Sequence, residues 1–411
     1  MDTLKKDIAY IDFLSENQRL IYDGLNNLKD HGLMYQYFED ETFNGRTVKV
    51  NGSDLLHFGS CSYMGFETHP GIIKSSREAL EKYKTQTPSS RAALSSVLYR
   101  EIEDTLPQIF PGKHIITQTV TLGHFSILPL LIQDNDAIIL DAFAHNSIRM
   151  ACSVCKANGT FVIISKNNDI DNVRYLTKRL KKEGYRNIWY CTDGLFSMHG
   201  NFLHIKELYQ LLNEENNFFA YIDDAHGTGW YGEKGCGYVF QNVDIHPRMI
   251  VIESFAKTLV SSGGLIVVQD KELANIIRIS GQTMIFSGPL QPAILGSVKG
   301  ALEVLLSKEF KIYQKELTEL INYFRETSKK HGIPIITEDE TPIQFLKIGN
   351  VDKTISLMEQ LKVLGFFTIS AIYPAVSKED CGLRISLTRH LKKVDIDNLL
   401  QNIEKLLKIN G

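Results

Sequence analysis

The stretch Tyr221-Ile-Asp-Asp-Ala-His-Gly-Thr-Gly-Trp-Tyr-Gly-Glu-Lys-Gly-Cys-Gly237 decides the fold. It grows out of the apolar run 218–222 and passes directly through two acids and a histidine into a glycine-dense loop. In an α/β sheet, ligands bind at the carboxyl ends of the strands, so Asp223 and His226 are expected to point into a site. A carboxylate in so sheltered a place needs a cationic partner. The protonated ring nitrogen of a pyridine cofactor meets that need, and pairing with an aspartate keeps such a ring an effective electron sink. Taken alone, the same residues also read as a strand-end acid capping a turn.

Outward from this stretch the pattern repeats. Apolar runs at 114–118, 137–140, 161–165, 187–191, 218–222, 249–252 and 265–268 alternate with amphipathic stretches such as 169–183 and 205–213, where apolar residues recur at three- and four-residue spacing. Strand and helix alternating in this way predict an α/β fold with a mainly parallel seven-stranded sheet, helices covering both faces. After about Ser287 the pattern changes to a helical region at 291–330, a strand at 343–348, a helix at 353–364, short strands at 366–370 and 384–387, and a helix at 394–409. The expected organisation is an N-terminal helical arm (1–50), a large domain (51–290) and a smaller C-terminal α+β domain (291–411).

After the next apolar strand comes Glu253-Ser-Phe-Ala-Lys-Thr-Leu-Val-Ser-Ser-Gly-Gly264. Most lysines are solvated on polar faces. Lys257 instead follows a buried strand, has hydroxyl neighbours and precedes a Ser-Ser-Gly-Gly turn. Burial there lowers the pKa of an amine and favours the free base that forms a Schiff base.

Composition narrows the field. Of 411 residues, 43% are hydrophobic and 23% charged, the balance of a globular protein with a large core. A formal net charge of -3 gives no electrostatic reason to expect a nucleic acid partner. No stretch approaches the roughly twenty apolar residues that cross a bilayer, so the expectation is a cytoplasmic protein with no transmembrane segment. Cys152 and Cys155 form a lone CxxC without a second pair at zinc spacing, and read as two buried thiols, with no metal expected.

The order Asp-x-x-His, Ser-x-x-Lys and Gly-Gly, from Asp223 through Ser254 and Lys257 to Gly264, resembles the α-oxoamine synthases, fold-type-I enzymes dependent on pyridoxal 5'-phosphate (PLP). The resemblance extends from about Leu55 to the C-terminus. It implies that Lys257 holds PLP as a Schiff base, Asp223 pairs with the pyridinium nitrogen, and His226 hydrogen-bonds the phenolic oxygen. It further implies that Ser197, in Asp193-Gly-Leu-Phe-Ser-Met-His-Gly200, sits near that oxygen, and that His145, in Asp-Ala-Phe-Ala-His-Asn-Ser, stacks on the ring. Ser254, with the backbone of Val120 and Thr121, is expected at the phosphate, although Val120 stands where the family has glycine; amides at a helix start tolerate that change. Ser287 resembles a phosphate contact supplied by a second subunit, which implies a homodimer with shared active sites. Arg384, in Gly-Leu-Arg-Ile-Ser-Leu-Thr, matches the arginine that grips the substrate carboxylate, for which its planar fork is suited.

The implied reaction is a decarboxylative condensation. Lys257, freed by the substrate amine, removes the α-proton as general base. The α-carbon attacks an acyl thioester carried by coenzyme A or acyl carrier protein, the thiol leaves, and carbon dioxide follows. Three departures bear on the substrate: Cys61 stands where the family has asparagine, Ile372-Tyr-Pro replaces Arg-Pro-Pro, and Cys236 replaces an arginine in the glycine loop. They point to a divergent member acting on alanine, serine, glycine or cysteate, in lipid biosynthesis of the sphingolipid or sulfonolipid type or in a biotin-like pathway. The alternative is a PLP-dependent aminotransferase, which uses the same lysine and aspartate but releases no carbon dioxide.

Overall fold

The computed structural model describes residues 10–410 except Pro374. Ser15 caps the helix Glu16–Asp30 through a reciprocal capping box with Gln18. An antiparallel ribbon follows, β1 (Thr47–Val50) with β2 (Ser53–His57). Seven strands then build the central sheet: β3 (Lys113–Thr117), β4 (Ala137–Asp141), β5 (Phe161–Ser165), β6 (Ile188–Asp193), β7 (Phe218–Asp223), β8 (Met249–Ser254) and β9 (Gly264–Val268). Their spatial order is β3-β9-β8-β7-β6-β4-β5, and neighbours are parallel except around β9, which runs antiparallel to β3 and β8. The mainly parallel sheet expected from the strand–helix alternation is therefore present.

Both faces of this sheet are covered, which is why its strands read as continuous apolar runs. Ile138, Leu140, Cys191, Tyr221 and Ile252 face the helices Val120–Leu131 and Asn146–Ala157. Ala137, Ile139, Tyr190, Ala220 and Ile222 face the helices Ile170–Lys182 and Ile205–Glu214. Each fully buried aliphatic side chain contributes about 1.5–3 kcal/mol. A one-residue slip would send every such chain to the wrong face, so the register is held firmly. Cys152 and Cys155 lie in the first of these layers as free thiols, and burial pushes Cys155 up to about 12.

The first helix after β3 sits unusually close to the sheet. A Cβ on Gly123 would lie 2.5 Å from the Ile252 side chain and 3.2 Å from that of Thr117, so a larger residue would push the helix away. Thr119 caps this helix by accepting from the Leu122 amide at 3.0 Å.

Beyond residue 290 the structure departs from the expected boundaries. The single helical region at 291–330 is two helices, Pro292–Leu306 and Glu309–Lys330, parted at the extended Ser307. A small C-terminal sheet contains β10 (Ile343–Lys347). The expected strand at 366–370 is divided: β11 (Phe366–Phe367) joins β2 in parallel, while β12 (Ile369–Ala371) pairs with β13 (Gly382–Ser386). β13 lies between β10 and β12, and the helix Lys393–Asn410 closes the chain. No helix among the described residues is long and apolar enough to cross a membrane.

Candidate active site

The carboxyl ends of β7 and β8 and the start of the helix Val120–Leu131 converge on a cavity of ≈ 190 Å³. Thr119, Val120, Thr121, His145, Asp223, Ser254 and Lys257 all line it. Val120 and Thr121 open the helix, so their N–H groups have no intrahelical acceptor and face an anion-binding position. Val120 has ordinary negative φ, and a glycine is not required there. Burial lowers the pKa of Lys257 against the opposing pull of Asp223, which favours the nucleophilic amine.

Asp223 ends β7, buried. Its Oδ1 accepts the Ala225 amide at 3.0 Å, and its Oδ2 lies 3.1 Å from His124 Nε2. Burial pushes this carboxyl upward, but His124, Lys257 and His145 outweigh it and hold it at about 2. A fixed carboxylate, a sheltered amine and a helix start within one cavity fit a phosphorylated pyridine aldehyde: each of its ring nitrogen, aldehyde and phosphate has a partner of suitable chemistry.

His145 caps the helix Asn146–Ala157; its Nδ1 lies 2.7 Å from Ser147 Oγ, and its amide donates to Asp193 Oδ1 at 3.0 Å. Burial lowers its pKa against the opposing pull of Asp223. His226 is buried and lowered further, by burial first and then by Lys257 and Arg384. Its Nδ1 is 2.7 Å from the Tyr63 hydroxyl, which in turn accepts from Arg384 Nη2 at 3.3 Å. The phenol proton therefore goes to Nδ1, and the His226 ring carries its own proton on Nε2.

Arg384 projects from β13 opposite the core-facing Leu383 and Ile385. It is buried, and its donors reach the Ser197 carbonyl (2.6 Å), Ser386 Oγ (2.7 Å), the Cys61 sulfur (3.6 Å) and Tyr63. None of these described partners is a carboxylate. Burial raises the Cys61 thiol pKa, but the charges of Arg384 and Lys257 prevail and leave it lowered. The segment carrying Cys61 and Tyr63 is tied to β13 by Ser386 N to Phe58 O and Arg389 N to Tyr63 O, at 2.8 and 3.0 Å.

Six expected site residues do not line the Lys257 cavity: His226, Arg384 and Cys61, joined to one another through Tyr63 and Arg384, and Ser197, Ser287 and Ile372. Ser197 meets Arg384 through its carbonyl and does not line the Lys257 cavity. Ser287 donates to the Thr283 carbonyl and lines other hollows of the surface. Ile372, just beyond the end of β12, packs among Leu28, Phe345 and Ile355, an apolar cluster outside that cavity. Cys236 is buried in the glycine loop and pushed up to about 12 by burial. Conversely, sequence reading passed over His124, Tyr63 and Tyr221. A signal for His124 existed: it lies one helical turn beyond Val120 and Thr121 and shares their face.

The aminotransferase class I and II family matches residues 72–403. Over 401 residues the chain is 28% identical to an 8-amino-7-oxononanoate synthase of Thermoanaerobacter pseudethanolicus, covering 97% of each protein. Over 389 residues it is 29% identical to a serine palmitoyltransferase of Sphingobacterium spiritivorum, covering 94% of each. Serine palmitoyltransferase of Sphingomonas wittichii superposes with a TM-score of 0.85 over 97% of this chain and 99% of that one, at 21% identity, which bears on the fold. The chain belongs to the aminotransferase class I and II family, and within it to the α-oxoamine synthases, the PLP-dependent acyltransferases.

Proposed function

We propose that this protein joins a small α-amino acid to an acyl thioester and releases the amino acid's carboxylate as carbon dioxide. The observation that carries the reading is Arg384. A buried guanidinium without a carboxylate partner is costly unless an anion arrives, and Arg384 lies near enough to act on the charge of Lys257. The substrate carboxylate supplies that anion, and its α-carbon then lies toward the lysine.

PLP bound at Lys257 supplies an electron sink conjugated to the substrate α-carbon. When it is bound, Asp223 would hold the ring nitrogen protonated, and His226 would offer its Nε2–H to the phenolic oxygen. His145 would stand against the ring. Val120, Thr121 and Ser254 would receive the phosphate. Lys257, its pKa lowered by burial, takes the α-proton. A carbon–carbon bond forms between the α-carbon and the thioester carbonyl carbon as the C–S bond breaks, and the thiolate departs with a proton; the substrate's carboxyl carbon then leaves as carbon dioxide, and the electron pair left on the α-carbon takes a proton back from Lys257. Ser287 lies outside this cavity within one chain, in keeping with a homodimer whose second subunit contributes it.

The pocket's Cys61 in place of a carboxamide favours alanine, serine or glycine; cysteate needs a further donor for its sulfonate. Carboxyl-labelled amino acids incubated with the PLP-loaded protein and an acyl-CoA or acyl carrier protein thioester test this. Labelled carbon dioxide is expected from one of them. If none yields it while a keto acid accepts the amino group, the protein is an aminotransferase instead.

A further inference from the structure

Four carboxyl groups are buried where β6, β7 and β8 end: Asp193, Asp223, Asp224 and Glu253. Asp193 and Asp223 stand directly opposite each other in the ladder. Like charges so close in a sheltered place cannot all ionise, and local donors decide which one does. Asp193 accepts a single backbone amide, from His145. Asp224 accepts the Val239 amide at 2.9 Å and Glu253 accepts from Thr228, yet Asp224 Oδ1 and Glu253 Oε1 are buried with no hydrogen-bond partner. Asp223 alone has an imidazole on it.

That imidazole is itself held. His124 Nδ1 lies 2.7 Å from the Tyr221 hydroxyl, and Tyr221 and Asp223 are alternate residues of β7 on one face of the sheet. The close approach at Gly123 brings His124 down onto both. Nε2 faces a carboxylate and must donate. With Nε2 turned to the carboxylate, Nδ1 is left to meet the Tyr221 hydroxyl, and that contact fixes the orientation of the ring.

We propose that His124, backed by Tyr221, is the positioning residue that makes Asp223 the one fixed anion of the site and sets the orientation of its carboxylate. The inference rests on the reading that Asp223 pairs with a pyridinium ring, but it concerns the apo chain as well. Its electrostatics agree: Asp223 is held low, while burial first and foremost raises Asp193, Asp224 and Glu253. The charged or titratable groups facing this chain are Lys257 and His145 across the cavity, Asp193 alongside, Asp224 and Glu253 behind, and Cys191 and Cys152 beside Tyr221.

The test compares His124→Leu, His124→Gln and Tyr221→Phe, in the full chain with and without PLP. In the apo protein, carbon-13 NMR of selectively labelled aspartate follows the Asp223 carboxyl against pH. Wild type should stay ionised through the acid range, and His124→Leu should take up a proton at least one pH unit higher. With PLP, the pH titration of the cofactor's absorbance should shift likewise, with kcat falling at least roughly tenfold per unit while KM changes little. His124→Gln, whose amide reaches the Nε2 position, should restore most of both, and Tyr221→Phe should give a smaller shift of the same sign. The proposal is overturned if His124→Leu lowers Tm but leaves both titrations unmoved, or if Gln restores nothing that Leu removed. Should wild type fail to take up PLP, the proposed function falls, while the apo titration still decides this inference.

Discussion

The floor and the wall of the pocket are built on opposite principles. The floor, Tyr221–His124–Asp223, comes from one strand and the helix packed on it, and there the carboxylate has its donors. The wall, Cys61–Tyr63–Arg384, gathers segments remote in sequence around a guanidinium that meets no acid. One holds a charge permanently paired by the protein; the other holds a charge that a ligand must complete. A buried pair is weak evidence of stability, whereas a buried, unmatched cation is evidence of a ligand. Lys257 stands where it feels both Asp223 and Arg384.

Removing what stands between them gives the largest effect. Lys257→Ala should lower the condensation rate about 10²–10⁴-fold, the range for losing a positioned proton-transfer group, and should end covalent retention of the cofactor after borohydride reduction. Peptide mapping of the reduced wild type should put the pyridoxyl mass on Lys257; its appearance on another lysine would refute the assignment.

Breaking the wall should cost less and in a different parameter. Arg384→Met removes a charge-assisted hydrogen bond of about 1.5–3 kcal/mol to the substrate carboxylate, so KM for the amino acid should rise by one to two orders of magnitude. PLP affinity should change little, because the floor and phosphate contacts are untouched. Equal losses of amino acid and PLP binding would mean that the wall supports the whole pocket and has no separate task.

The contrast between the floor's carboxylate and its neighbour is sharpened by pH. Asp224 is raised by burial to about 8, so the folded chain keeps a proton that the unfolded chain, near 3.9, releases. That stability is present in full below pH 4 and is lost as pH rises toward 8. Asp223, held at about 2, acts in the reverse sense: its stability is present above pH 4 and is lost as pH falls through 2. In urea unfolding of the apo protein, Asp224→Asn should therefore flatten the decline between pH 5 and 8. Parallel pH curves for variant and wild type would contradict this.

The smallest effect belongs to the loop that carries the lysine. Val260 sits at φ 47°, a left-handed conformation costing a β-branched residue about 1–2 kcal/mol, while its amide bonds the Lys257 carbonyl at 3.0 Å. Val260→Gly relieves that strain but adds about 0.5–1 kcal/mol of unfolded-state entropy, so a gain of up to about 1.5 kcal/mol is expected in chemical denaturation. A clear loss of stability would show that the valine side chain's packing outweighs the strain.

Of the floor only Asp223 was legible in the sequence, together with Lys257 above it, because their signals are local, whereas His124 and Tyr221 were missed. An acid ending an apolar run, a lysine after the next strand and a glycine turn are each read within a few residues, and strand–helix alternation dictates that they meet at one edge of a parallel sheet. The wall was half legible. Arg384 and Cys61 were expected to share a substrate pocket through resemblance, and the structure joins them; Ile372 was expected with them, but it packs in a different, apolar cluster. The split of 366–370 between two sheets was hidden for a similar reason, since the apolar run is continuous and only its pairing partners differ.

By itself, the sequence determined the periodicities, hence the elements, the buried faces and the residues at strand ends. Tertiary structure alone decided which polar groups touch: His124 reaches Tyr221 across 97 residues of chain, and Arg384 reaches Cys61 across 323. The physical reason is the range of the forces. Backbone propensity and side-chain alternation act over one turn or one pleat, whereas a hydrogen bond between distant segments exists only once burial has fixed the path of everything between them.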